Sequence, residues 1–208
     1  MNPELKGLIL QAVEESVMEI VNTMLFLDVT PGQGVAKPSD VPHVAARAEA
    51  SAMVGMSGGF NGGVRLVSSN KVARMLAGAL SGEGYRTLTD EAKDGFAELG
   101  NMITGGIQTR IEGFSNSGQI SLTPPTVIVG ADYEVDYRSH LESVRKFFRV
   151  HDDPFFVEVF YQVDKDALVN VMLSDALVRN LDALGAKLGG NPSRAEVIGW
   201  LVHRAAQG

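Results

Sequence analysis

Asp94, Glu98 and Asn101, followed at a distance by Pro124, are the residues of this chain whose types and spacing could do chemistry together. The first three lie in DEAKDGFAELGNMITGGIQTRIEG (90–113), which reads as one helix. At about 100° per residue they fall within roughly 60° of one another on one face. Phe96, Leu99, Ile103, Ile107 and Ile111 recur on the opposite face at the spacing of a core stripe. The polar trio therefore points outward. An outward carboxylate can dock on a partner, and a carboxamide one turn along can hold a water through its oxygen. By residue type alone, a solvated helix face would look the same. The long spacing to Pro124 is what sets this face apart.

Other chemistries are excluded or disfavoured by composition. The chain has no cysteine, which removes disulfides, thiolate zinc sites and cysteine nucleophiles. Its four histidines, His43, His140, His151 and His203, form no ligand pair at helical spacing. A net charge of −7 and a pI near 5.1 argue against general affinity for nucleic acid or anionic membrane. No run of about eighteen apolar residues suggests a membrane span, and the amphipathic N-terminus MNPELKGLILQAVEES lacks the marks of a secretory signal. A cytoplasmic protein is expected, with chemistry resting on oxygen and amide groups.

The elements that must position the face follow from periodicity and turn chemistry. Residues 4–28 read as a helix, with Ile9, Val13, Val17, Ile20, Val21 and Met24 as its apolar stripe. TPGQG (30–34) and KPSDVP (37–42) are expected to break the chain. ASAMVGMSGGFNGGVRLVSS (50–69) reads as two strands joined by a hairpin around GGFNGG. NKVARMLAGALSG (70–82) is a helix ending at Gly82. Thr89 can cap the central helix, with Asp90 and Glu91 in its positive first turn. Gly105 and Gly106 interrupt that helix, and close packing against a neighbour is their expected reason. FSNSGQ (114–119) is a loop, and SLTPPTVIVG (121–130) supplies a strand after its prolines. SVRKFFRVH (143–151) and FFVEVFYQV (155–163) make an antiparallel hairpin turned at DDP (152–154).

Strands and helices come in runs, without βαβ alternation, so the fold class is α+β with a mainly antiparallel sheet packed by helices. DKDAL (164–168) reads as a boundary between a domain over 1–163 and a tail over 164–208. In the tail, VNVMLS (169–174) is a short strand, Ser174 with Asp175 starts one helix, and Ser193 with Glu196 caps another. About forty residues are too few to fold comfortably alone, so the tail needs a partner.

With these residues in place, 1–163 resemble the CheC/CheX/FliY family of response-regulator phosphatases, CheX more closely than CheC. That family's motif is Asp or Ser, three residues, Glu, two residues, Asn, twenty-two residues, Pro. Here Asp94, Glu98, Asn101 and Pro124 meet it, followed by PTVIVG (125–130). The resemblance implies hydrolysis of the aspartyl phosphate on a phosphorylated CheY-like receiver domain. Asn101 would orient the attacking water, and Glu98 would pair with the receiver's active-site lysine. Asp94 and Pro124 would support the platform. No cofactor is expected on this chain, since Mg²⁺ would come with the receiver. A homodimer is expected.

The first helix carries an echo of the motif. Glu19 and Asn22 repeat the Glu–Asn spacing, Glu15 takes the Asp/Ser position, and Ala45 stands where the proline would be, with Pro42 nearby. This reads as a degenerate second site or as chance on a polar face. The tail resembles a ribbon-helix-helix module, a dimeric DNA-binding family. Its base-reading positions would be Leu168, Asn170 and Met172, none of them basic, preceded by Asp164 and Asp166. Dimerisation suits it better than DNA binding, and a helical hairpin packed on the first domain is the remaining alternative. The functions left open are a receiver phosphatase, a non-catalytic module docking a receiver or flagellar-switch protein, and a DNA-binding regulator.

Overall fold

Period-two alternation of apolar residues builds most of the sheet. In the computed structural model, which describes residues 3–37, 48–114, 118–133, 141–162, 182–184, 186 and 197, seven strands form one antiparallel sheet. They are β1 (Val29–Lys37), β2 (Ala48–Gly58), β3 (Gly62–Ser68), β4 (Ile120–Leu122), β5 (Thr126–Tyr133), β6 (Leu141–Val150) and β7 (Asp153–Gln162). Their order is β1-β6-β7-β3-β2-β4, and β5 also pairs with β2. β4 takes Met56–Gly58 and β5 takes Ala48–Met53, so the two share one edge of β2.

Register decides which side chains meet. Val144 faces Val159 and Phe148 faces Phe155 across β6 and β7, with the two rings stacked at 5.3 Å. These residues join Val64 and Leu66 of β3 in one core with the inward residues of three helices. The helices are α1 (Pro3–Met18), α2 (Asn70–Ser81) and α3 (Asp90–Phe114). The fold is thus α+β, a mainly antiparallel sheet packed by helices. On the alternate positions Arg65, Glu158 and Arg145 form a row across β3, β7 and β6. The Glu158 carboxylate lies 2.9 Å from Arg65 and 2.7 Å from Arg145, so this buried acid is neutralised by two guanidinium groups.

Three local expectations change. The glycine- and proline-rich 29–37 is strand β1, paired with β6 through a register shift between Pro31 and Gly34. It ends the strand order, where a missing N–H is tolerated. A Cβ at Gly34 would fall 2.6 Å from a Leu10 methyl, and one at Gly32 3.2 Å from the Phe147 carbonyl, so packing selects the glycines. The first helix leaves α geometry at Glu19–Met24, a π-helical segment, before the chain turns through Phe26 at φ 54°. The β6–β7 turn is His151–Asp152, with Asp153 and Pro154 already paired in β7.

The chain divides into two compact units, Met1–Asp164 and Lys165–Gly208. The ribbon-helix-helix-like reading of 164–208 falls outside the described residues, apart from isolated positions. Among the described residues, no helix is long and apolar enough to cross a membrane.

Candidate functional site

The centre of the candidate site is α3, and its orientation is fixed from both ends. Thr89 Oγ1 accepts from the Ala92 N–H at 3.3 Å, capping the helix as its sequence suggests. Asp90 lies 2.8 Å from Lys93, whose hydrogen bond holds the Asp90 carboxyl below its usual pKa. Ala92, Phe96, Leu99, Ile103, Ile107 and Ile111 are buried along one side. Three glycines set how closely the neighbours approach. A Cβ at Gly100 would meet the Ala52 Cβ of β2 at 2.8 Å, one at Gly95 the Ala77 Cβ of α2 at 3.3 Å, and one at Gly106 the Ser16 Oγ of α1 at 3.0 Å. Gly106 therefore has the packing reason expected for it. Gly105 does not, since no described atom lies within 4 Å of a Cβ built there.

With that side buried, Asp94 and Glu98 are exposed and Asn101 is half-buried on the other. None of the three has a side-chain hydrogen bond or ion pair among the described residues. Two carboxylates and a carboxamide thus stand on one helical face with their hydrogen-bonding capacity unused. Among the described residues no three His, Asp or Glu side chains converge as a metal-holding group.

Pro124 reaches the neighbourhood through the sheet. Gly100, beside Asn101, sits against Ala52, and Ala52 pairs with Val127 of β5. Pro124 lies three residues before Val127, exposed, in the link from β4 to β5. Thr123 anchors that link: its N–H donates to the Gly55 carbonyl at 3.0 Å, and its Oγ1 accepts from the Gly55 N–H at 2.9 Å. Further along α3, Gln108 donates to the Ile120 carbonyl at 2.9 Å and Glu112 accepts from the Ile120 N–H at 2.6 Å. This pair clamps β4 to the helix. Sequence reading passed over Gly100, Gln108, Glu112 and Thr123. A glycine beside the core stripe was a usable sign at 100, whereas the Gln108–Glu112 pair resembles any solvated i,i+4 pair.

The echo on the first helix has different surroundings. Arg110 of α3 reaches Glu15 at 3.0 Å and Glu19 at 2.7 Å, and donates to Ser16 Oγ at 3.2 Å. Hydrogen bonds from Gln11 and then Arg110 hold the Glu15 carboxyl below the usual carboxylate range, while Glu19 above all raises the Arg110 pKa. Asn22 Oδ1 accepts from the Val29 N–H at 3.2 Å, tying the helix end to the start of β1. Both side chains are engaged within the fold.

Comparison with known proteins bears on this geometry. Residues 50–149 match the family model described as chemotaxis phosphatase CheX. The CheY-P phosphatase CheX of Thermotoga maritima is 28% identical over 128 residues, spanning 61% of this chain and 79% of that protein. A crystal structure of CheX from Desulfovibrio desulfuricans superposes with a TM-score of 0.65 at 22% identity, covering 74% of this chain and 99% of that one. The structure of a CheX–CheY–BeF₃–Mg²⁺ complex from Borrelia burgdorferi gives 0.61 at 18% identity, covering 74% and 97%. Asp94, Glu98, Asn101 and Pro124 all fall inside the matched stretch; Glu19 and Asn22 fall outside it. Residues 50–149 are thus similar to the CheX family, and the chain has the fold of the CheX structures.

Proposed function

We propose that this chain is a cytoplasmic phosphatase for the aspartyl phosphate of a CheY-like receiver domain, in chemotaxis or a related two-component pathway. The observation that carries the proposal is the Asp94–Glu98–Asn101 face of α3, without side-chain partners among the described residues and inside the stretch that matches the CheX family. The name of the Thermotoga maritima relative supports the activity, and the Borrelia burgdorferi complex of CheX with CheY supports the kind of partner.

The reaction suits these residue types. An acyl phosphate has a good leaving group, the aspartate carboxylate, and its hydrolysis needs a water held in line with phosphorus. The water oxygen forms the new P–O bond as the bond to the carboxylate breaks, giving inorganic phosphate and a free aspartate. Asn101 Oδ1 accepts a hydrogen bond from that water and aligns it, the task glutamine performs in small GTPases. Glu98, one turn earlier, pairs with the receiver's lysine and sets the asparagine over the phosphoryl group. The receiver brings the Mg²⁺ that neutralises the phosphoryl oxygens. Asp94 and Pro124 shape the platform. A homodimer is part of the proposal, and sedimentation of the full chain tests it.

The function is tested by phosphate release from a panel of phosphorylated CheY-type receivers. Wild type should accelerate release from at least one of them. Asn101→Ala should lose the acceleration while still docking, and Glu98→Ala should lose most of it through weaker docking. Unchanged release with Asn101→Ala would sink the catalytic assignment and leave a docking module.

A further inference from the structure

α3 contains four glycines besides the one in its final turn, and these four can be compared directly. Gly95, Gly100 and Gly106 each face a neighbour that a Cβ would crowd. Gly105 faces open space among the described residues, and it is not one of the positive-φ glycines. Neither packing nor backbone conformation accounts for it, although glycine is among the least favourable residues in a helix interior. Its place on the helix is specific. Four residues beyond Asn101, it lies about 40° around and about 6 Å further along, on the face shared by Glu98 and Asn101.

The surroundings of Gly105 are also cleared. Gln108 and Glu112, next on that face, are drawn back onto Ile120 of β4. Thr109 turns its hydroxyl onto the Gly105 carbonyl at 3.0 Å. The result is a stretch of helix backbone one turn beyond Asn101, with no described atom within 4 Å of where a side chain at 105 would begin.

We propose that Gly105 is a clearance residue of the docking face, kept without a side chain so that the backbone of a docked receiver loop can settle on α3 one turn beyond Asn101. This rests on the phosphatase reading of the same face and adds the direction from which the partner covers it. The phosphoryl-bearing loop must approach Asn101 closely enough for one water to fit between them. A side chain at 105 would hold that loop off.

Gly7 of α1 supplies the control, because it too is a helical glycine with nothing described within 4 Å. The full chain is prepared as wild type, Gly105→Ala, Gly105→Gln and Gly7→Ala. Each is titrated with a CheY-type receiver activated by beryllofluoride and Mg²⁺, and each is assayed for phosphate release. Both alanine variants should melt about 2–4 °C higher, from helix propensity alone. Gly105→Gln should raise the receiver Kd and KM at least about tenfold with kcat within about twofold, and Gly105→Ala about threefold. Gly7→Ala should change neither. An active wild type with a Gly105→Gln Kd unchanged within twofold overturns the clearance role and leaves the phosphatase proposal standing. If Gly105→Gln does not fold, the Gly105→Ala titration decides in the same way. A wild type that binds no activated receiver overturns both.

Discussion

On α3, Glu98 and Asn101 stand one turn apart in regular α-helix, with no side-chain partner among the described residues. On the first helix, Glu19 and Asn22 have the same sequence spacing inside a π-helical segment, where i→i+5 bonding places more residues in each turn. There the carboxylate is 2.7 Å from Arg110, and the carboxamide oxygen takes the Val29 N–H. The comparison teaches that spacing alone does not make a site. A carboxamide can orient a water only if its oxygen is not already committed, and a carboxylate can grip a partner's lysine only if no internal guanidinium holds it. One pair is available to a partner; the other is spent on joining α1, α3 and β1.

Paired substitutions at the two places sharpen that contrast. After the loss expected at Asn101 itself, the largest effect should come from Glu98→Gln. It should lower kcat/KM about tenfold, mostly through KM, as a charged contact to the receiver becomes neutral. Glu19→Gln should leave turnover unchanged and lower the melting temperature slightly. Steady-state phosphate release and a thermal melt distinguish the two. Gly100→Ala comes next, since its Cβ would meet Ala52 at 2.8 Å and push α3 from the sheet. A cost of about 1–3 kcal/mol in urea unfolding is expected, with a several-fold fall in kcat as Asn101 is displaced.

Arg110→Ala should cost about 1 kcal/mol, because its ion pairs are partly exposed, while kcat stays within twofold. A loss of turnover matching that of Asn101→Ala would mean that the first helix is part of the working site. The smallest effect is on acid stability. The Glu15 carboxyl is held below its usual pKa by Gln11 and Arg110, so its contribution is complete above the ordinary carboxylate range. It is lost as pH falls below that range and through the lowered value. Melting temperatures from pH 7 to pH 3 should therefore fall less steeply for Glu15→Gln than for wild type.

Much of this architecture was legible in sequence because it rests on local periodicity. The α3 stripe, the Thr89 cap and the two hairpins all follow from side chains a few residues apart. β1 was not legible, because Pro31, Gly32 and Gly34 look like turn residues until Leu10 and Phe147 are seen pressing on the strand. The outward face of α3 was legible, but the difference between Gly100 and Gly105 was not. Both are helical glycines, and only the sheet beneath one and the open space above the other separate them. The engagement of Glu19 was hidden for a similar reason: Arg110 is 91 residues away in the chain.

The most direct test of the contrast is single-turnover decay of a receiver aspartyl phosphate with the full chain in excess. Wild type, Asn101→Ala and Asn22→Ala are compared at equal concentration, below the melting temperature of each. Asn101→Ala should slow the decay about 100-fold or more, toward the receiver's own spontaneous rate. Asn22→Ala should keep the wild-type rate while melting lower, having lost its bond to the Val29 N–H. Wild-type decay with Asn101→Ala, or a comparable loss with Asn22→Ala, would contradict the assignment of the working face to α3.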